Sequence, residues 1–146
     1  MDCMNDISQF EYFVAGTWRN RDEVARLTRL LRERAGAVYC FLDAPRSDAR
    51  LSADVDEAVR RFEAISDWRE DSWVRSIYDE DLDGLKDAAQ FVLLLPAGAS
   101  CHIEAGIAYA LGKRLTLIGT PEKAQSLYLI FHDVYASIDE FIASIA

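Results

Sequence analysis

The chain has 146 residues, of which 51% are hydrophobic and 28% charged, and its formal net charge at pH 7 is −9. This size and apolar content fit one compact domain over residues 1–146, with 1–10 as a loose leader, and leave no room for a second core. The acidic balance excludes a nucleic-acid duplex and an anionic membrane surface as expected partners, because both require a net basic face.

Targeting and metal-binding signals are absent from the sequence. No apolar run approaches the length of a membrane span, and the amino terminus MDCMNDISQF lacks the segments of a signal peptide, so we expect a cytoplasmic protein. The three cysteines, Cys3, Cys40 and Cys101, are odd in number and lack metal-type spacing, while His102 and His132 are the only histidines. We therefore expect neither a metal nor a disulfide framework, and no cofactor.

The chain alternates between apolar runs of strand length and stretches with helical periodicity, separated by glycine turns. The expected elements are, in chain order, strand Tyr12–Ala15, helix Arg21–Ala35, strand Val38–Leu42, helix Ala53–Ile65 capped by Ser52, helix Ser72–Ala88, strand Phe91–Leu95, a helix from Ser100 to Gly112, strand Leu115–Ile118, short helix Ser126–Phe131, extended Val134–Tyr135, and a last helix opened by a capping box at Ser137–Glu140.

The strand at Phe91–Leu95 is the centre of this pattern. Its apolar run is unbroken, which is typical of a parallel strand buried on both faces. Pro96 cannot donate to a sheet, and Gly98 tolerates a positive φ, so the chain is expected to turn out of the sheet there. Ser100 is a suitable helix cap, and Glu104 is then a lone carboxylate in the first turn of an otherwise small and apolar helix.

The order of elements predicts a single-domain α/β fold, a flavodoxin-like doubly wound parallel sheet with helices on both faces. Ligands bind such sheets at the carboxyl ends of the strands, near the point where strand order reverses. Two turns there carry polar groups, namely Gly16–Asn20 and Pro96–Glu104. The first, GTWRNR, lacks the spacing of a dinucleotide fingerprint or of a Walker loop.

Two features lie in the connector after the second helix and in the third helix. Trp68 and Trp73 place aromatic bulk in a polar connector, which indicates helix packing or a wall for a flat ligand. The acidic run Asp79–Asp83 is typical of a solvated helix face.

Three segments resemble the nucleoside 2-deoxyribosyltransferase family, including its deoxynucleoside-monophosphate N-glycosidase branch. They are FVAGTWR at 13–19, DLDGLKDA at 81–88 and PAGASCHIEAGIAYALGK at 96–113, and the likeness is weakest over 36–72. The resemblance implies cleavage or transfer of the N-glycosidic bond of a (deoxy)nucleoside or its 5′-monophosphate. It implies Glu104 as the nucleophile and Asp81 as the group that assists the departing base.

The resemblance also implies which residues hold the sugar. Gly16, Thr17 and Arg19 match the turn that contacts the sugar or its 5′ group in the family. Phe13 stands where the family often has a tyrosine, and Gly98 stands where the hydrolase branch has a serine, with Ser100 two residues later.

Family members complete the sugar pocket with residues of a neighbouring subunit, so the resemblance implies a homodimer or larger homo-oligomer. The run Ser126–Phe131 is apolar on nearly every side, more than a short surface helix can bury. We expect Ser126 or Tyr128 to reach the partner's pocket. A helix sunk between the sheet and the last helix is the alternative.

The residues suit this chemistry without the family. Breaking an N-glycosidic bond needs an anion beneath C1′ and a proton for the leaving base. A first-turn position would keep Glu104 ionised through the helix dipole, and the amides around Gly98–Ser100 would bind a hydroxyl or a phosphate.

Each site residue also has a structural interpretation. Glu104 would satisfy the helix dipole, Asp81 and Arg19 would be surface charges, and Cys101 and His102 would be packing or rim residues. Two other functions stay open: a TIR-like NAD glycohydrolase, which also uses a helix glutamate, and a non-catalytic binder or sensor of a nucleoside derivative.

Overall fold

The computed structural model describes residues 7–44 and 54–145. Within them, the strands are β1 (Phe10–Ala15), β2 (Val38–Cys40), β3 (Ala88–Leu94), β4 (Arg114–Ile118) and β5 (Asp133–Tyr135). The α-helices of the same residues are α1 (Arg21–Arg34), α2 (Val55–Glu63), α3 (Ser72–Lys86), α4 (Ala99–Ala110) and α5 (Ile138–Ala143). Short 3-10 helices lie at Trp18–Asn20, Phe41–Asp43 and Ser126–Ile130.

The strands form one parallel sheet in the order β2-β1-β3-β4-β5, which confirms the predicted flavodoxin-like α/β architecture. Strand order reverses between β1 and β3, so these neighbours diverge into different crossovers and leave a crevice at their carboxyl ends. β3 is central, and its Phe91, Val92 and Leu93 are fully buried, as the unbroken apolar run predicts. Among the described residues, no helix is long and apolar enough to cross a membrane.

Alternate residues of the strands build a core on each face of the sheet. Phe13 and Phe91 belong to one core, together with residues of α3 and α4. Val14 and Val92 belong to the other, with residues of α1 and α5. The site described below opens on the α3 and α4 side.

The second strand is shorter than predicted. β2 pairs with β1 only from Val38 to Cys40, and Phe41–Asp43 turn into a 3-10 helix. The extension to Leu42 is therefore wrong. At the point where the ladder ends, the Phe41 ring packs edge-on against Trp18, with centroids 5.3 Å apart.

The caps observed at the starts of α4 and α2 differ from the predicted ones. Ser100 does not cap α4, which begins at Ala99 behind Gly98, and Gly98 has φ −91° rather than a positive value. Ser52 and Ala53 lie outside the described residues. Within them, Asp54 caps α2 by accepting a hydrogen bond of 3.0 Å from the Glu57 amide.

The predicted glycine stops of α1 and α4 and the predicted capping box of α5 are confirmed. Gly36 and Gly112, which follow α1 and α4, have φ values of +109° and +78° that favour glycine. Ser137 Oγ accepts from the Glu140 amide at 3.2 Å, and Glu140 reaches back to the Ala136 amide at 3.1 Å. The capping box thus opens α5.

Candidate active site

A cavity of about 420 Å³ lies at the carboxyl ends of β1 and β3, between their exit turns and helices α2 and α3. It occupies the crevice where the strand order reverses. Its size is within the range of small-molecule sites. Eight predicted site residues line it, namely Phe13, Gly16, Thr17, Arg19, Asp81, Gly98, Ser100 and Glu104. Ser126 and Tyr128 are not among its lining residues.

Glu104 lies in the second turn of α4, because the helix begins at Ala99. The expected first-turn position is therefore wrong, and the dipole does not keep this carboxyl ionised. Burial in the cavity wall, and after it the charge of nearby Asp81, raises the pKa of Glu104 to about 8. Burial thus favours the protonated form of Glu104.

Asp81 turns from α3 into the cavity, unlike the exposed Asp79 and Asp83 beside it in the acidic run. Burial raises the pKa of Asp81 to about 6, while a hydrogen bond from Tyr39 opposes that rise. Asp81 and Glu104 therefore titrate as an interacting pair, and Asp81 is the member that ionises first.

Tyr39 on β2 is a site residue that the sequence analysis missed. Its phenol donates a hydrogen bond of 2.7 Å to Asp81 Oδ1. Its ring stacks on Phe13, its partner in the β1–β2 register, with centroids 4.9 Å apart and planes 10° from parallel. Burial and Asp81 raise the pKa of Tyr39, so the phenol stays a donor.

Gly84 leaves the room in which the Tyr39 ring lies. A Cβ at Gly84 would lie 2.5 Å from Tyr39 Cδ2, closer than real Cβ contacts occur. Because Gly84 and Asp81 are three residues apart on α3, one helix face both holds the ring and receives its hydroxyl. The glycine in DLDGL was the available sequence signal for this close approach.

The turn after β1 is held by its own contacts. Thr17 Oγ1 accepts from the Arg19 amide at 3.3 Å and so caps the 3-10 helix. A Cβ at Gly16 would lie 2.6 Å from Val24 Cγ2, so packing on α1 requires glycine there. The Cys101 thiol donates to the Gly16 carbonyl at 3.2 Å, which ties α4 to this turn.

Cys101 is a packing residue, as expected. Burial, and after it Glu104, raise the pKa of its thiol to about 12, so no thiolate is available as a nucleophile.

Arg19 forms a two-point ion pair with Glu63 at the end of α2. Arg19 Nη1 and Nη2 donate to Glu63 Oε2 and Oε1 at 2.9 and 2.6 Å. The guanidinium lowers the pKa of Glu63, which stays ionised. Glu63 also lines the cavity, and its position 44 residues from Arg19 hid this partnership in the sequence.

Aromatic side chains form the opposite wall of the cavity. Trp18 packs against Phe41, and Phe62 packs edge-on against Trp73 with centroids 5.0 Å apart. Trp73 thus takes part in helix packing and also lines the cavity. Trp68 is 57% exposed and does not line it.

Tyr128 is connected to the start of α4 through His102. His102 Nδ1 lies 2.8 Å from the Gly98 carbonyl and must donate to it, so its Nε2 accepts from the Tyr128 hydroxyl at 3.0 Å in the neutral ring. His102 is therefore a packing residue at the rim. His102 thus links the Tyr128 hydroxyl to the cavity turn at Gly98.

Comparisons with known proteins identify this fold. No protein-family model and no curated protein sequence matches the chain. Solved structures do match it: a 2-deoxyribosyltransferase from Bacillus psychrosaccharolyticus matches with a TM-score of 0.59 and 14% identity over 90% of this chain and 89% of that one. The Clostridium botulinum CMP N-glycosidase BcmB matches with a TM-score of 0.52 and 19% identity over 91% and 96%.

The protein is thus a single-sheet α/β domain of the flavodoxin-like class, with a cavity at the switch point of the sheet. More particularly, it has the fold of a 2-deoxyribosyltransferase and of a CMP N-glycosidase, and its sequence segments resemble the nucleoside 2-deoxyribosyltransferase family.

Proposed function

We propose that the protein is an enzyme that cleaves or transfers the N-glycosidic bond of a (deoxy)nucleoside or its 5′-monophosphate. The observation that carries this proposal is the meeting of Glu104 and Asp81 in one cavity at the switch point. Two carboxyls that share one proton can supply an anion to C1′ and a proton to the leaving base.

The walls of the cavity suit the two halves of a nucleoside. Phe62, Trp73 and Ile77 offer an apolar surface for a flat base. On the other side, Gly98 has no side chain to cap the first turn of α4, so the amides there can bind a sugar hydroxyl. Glu104 follows one turn later on the same helix.

The proposed first step moves one proton and one glycosyl group. Before the reaction Glu104 holds the shared proton, because its pKa is the higher of the two. Positive charge that develops at C1′ favours ionised Glu104, and the proton passes to Asp81. Glu104 Oε then bonds to C1′ as the C1′–N bond breaks. The bonding pair leaves with the base nitrogen, which takes the proton from Asp81.

The second step reverses these roles. Water or a second base attacks C1′, the bond from C1′ to Glu104 breaks, and Asp81 accepts the proton that the acceptor loses. Water gives hydrolysis and a base gives transfer.

We also propose that the protein acts as a homodimer or larger homo-oligomer. Leu127 and Leu129 of the 3-10 helix are 77% and 89% exposed, and Ile103 on α4 is 64% exposed. The hydrogen bond between Tyr128 and His102 links these two elements. Apolar side chains of this size are suited to contact with a second copy. Ser126 is exposed at the start of the 3-10 helix and is the better placed of the two residues to reach a partner's cavity.

One experiment tests the reaction. The protein is incubated with each deoxynucleoside and each deoxynucleoside 5′-monophosphate, with and without a second free base, and with NAD, and the products are separated by chromatography. We expect base release or base exchange that is abolished in Glu104→Gln. Nicotinamide release from NAD alone would favour a TIR-like activity, and binding without any product would favour a sensor.

A further inference from the structure

We infer that Glu63, through its ion pair with Arg19, excludes a 5′-phosphate, so that the substrate is the unphosphorylated nucleoside. This inference rests on the proposed function and names its substrate class.

The ion pair occupies the face of Arg19 that a phosphate would need. Both terminal nitrogens of the guanidinium already donate to Glu63, at 2.9 and 2.6 Å. Arginine binds phosphate best through the same parallel pair of donors. A phosphate would therefore have to displace the carboxylate or bind beside it, next to two anionic oxygens.

The rest of the described lining offers no compensating charge. Among the described residues, Arg19 is the cation that lines the cavity, and the acidic residues Glu80 and Asp81 line the same space. The nearby arginines outside it are engaged as well: Arg21 contacts Asp56 at 3.1 Å, and Arg60 contacts Glu57 at 2.8 Å. A phosphate dianion would meet a like-charged wall.

A free hydroxyl meets no such conflict. A 5′-hydroxyl can donate to a Glu63 oxygen while Arg19 keeps both of its bonds, because each carboxylate oxygen accepts more than one hydrogen bond. The ion pair thus forms a polar edge that suits a neutral sugar and opposes an anionic one.

Glu63 can be changed without harming the fold. The side chains of Arg19 and Glu63 are 58% and 51% exposed, and ion pairs with this exposure add little to stability. Glu57 offers a matched control, because it lies on the same helix and pairs with Arg60 but does not line the cavity.

The test compares wild type, Glu63→Gln and Glu57→Gln. For each we would measure kcat/KM and, by calorimetry, Kd for the four deoxynucleosides and for their 5′-monophosphates. Wild type should prefer the nucleoside. In Glu63→Gln the preference should fall by about tenfold or more, the scale of one removed like-charge contact in a partly solvated site, through a gain on the monophosphate. Glu57→Gln should keep the wild-type ratio.

Three results would overturn the inference. The first is a wild type that prefers the monophosphate. The second is a Glu63→Gln variant that loses monophosphate binding, since Glu63 would then orient Arg19 for phosphate. The third is an equal change of the ratio in Glu57→Gln. Failure of the proposed function looks different, because wild type would then release no base from either substrate series.

Discussion

Tyr39 donates a 2.7 Å hydrogen bond to Asp81, which lies 42 positions later in the chain and on the helix that faces its strand. The bond stabilises the ionised form of Asp81 and so helps to keep the pKa of Asp81 below that of Glu104. Phe13 on β1 has no hydroxyl group. Tyr39 lies beside it on β2 and supplies a phenol at this place in the sheet. The sheet register thus brings a donor to the carboxyl pair.

We expect Tyr39→Phe to shift the pH dependence of activity. Removing the donor raises the pKa of Asp81, so the acidic limb of kcat/KM should move to higher pH by about 1–2 units, the worth of one hydrogen bond to a charged group. Buried Tyr12, on the opposite face of β1, provides the control Tyr12→Phe. An unchanged limb in Tyr39→Phe would show that the bond does not tune the reaction.

The wild-type profile itself should be bell-shaped. The active form of the Asp81–Glu104 pair holds one proton. At a pH below about 6, the pKa of Asp81, both carboxyls are protonated and no anion faces C1′. At a pH above about 8, the pKa of Glu104, both are ionised and neither can protonate the base. Measurement of kcat/KM from pH 4.5 to 9.5 checks this expectation. A rate that is flat between pH 5 and 9 would contradict it, and Asp81→Asn should reduce the bell to a single limb.

Glu104→Gln should stabilise the protein at high pH. The folded-state pKa of about 8 lies above 4.5, the ordinary value of a glutamate, so the contribution of Glu104 to stability is fully present below about pH 4.5 and is lost as pH rises through 8. Glu104→Gln has no ionisable group at this position, so its stability does not fall in this way as the pH rises. At pH 9 its free energy of unfolding should exceed that of wild type by at least about 1.4 kcal/mol, the value of one pKa unit.

Urea unfolding at pH 5 and pH 9 measures that difference. Glu122→Gln, at an exposed acid, serves as the control and should follow wild type at both values. A Glu104→Gln variant that is less stable than wild type at pH 9 would show that the ionised carboxylate makes favourable contacts in the fold.

Gly84→Ala on α3 should shift the pH profile in the same direction as Tyr39→Phe. The new Cβ must push against the Tyr39 ring at 2.5 Å, which costs about 1–3 kcal/mol of stability and moves the phenol away from Asp81. Gly106→Ala on α4 is the matched control, since a Cβ there meets nothing within 4 Å and helix propensity favours alanine by about 1 kcal/mol. Thermal unfolding measures the loss of stability, and the pH profile of kcat/KM measures the displacement of the phenol from Asp81. A Gly84→Ala variant with the stability and pH profile of wild type would contradict the close packing.

Local sequence signals were enough for the elements that depend on burial and turn chemistry. The apolar run Phe91–Leu95 marks β3 because a strand covered on both faces needs no alternation, and Gly112 marks the end of α4 through its positive φ. The Ser100 cap failed because Gly98 starts the helix with backbone alone. A serine two residues later offered a conventional cap that the fold does not use.

The missing parts of the site depend on three-dimensional pairing. Tyr39 reaches Asp81 only through the β1–β2 register, and Glu63 reaches Arg19 only after α2 packs over the first turn. The pKa of Glu104 follows from walls supplied by other elements, so its place in the sequence suggested an ionised group that burial in fact protonates. Local sequence patterns do not predict these contacts between residues that are far apart in the chain.

The proposed oligomer predicts that two inactive chains can restore each other. If Ser126 reaches the partner's cavity, Ser126→Arg and Glu104→Ala should each be inactive alone, and Ser126→Arg spares the Tyr128–His102 bond. In an equal mixture, half of the dimers are hybrids with one intact site, so about a quarter of wild-type activity should return. Mixing Glu104→Ala with Asp81→Asn is the control and should give no more activity than the Asp81→Asn chain supplies by itself, because both residues line the same chain's cavity. A fully active protein with a monomeric mass by light scattering would rule out the shared site.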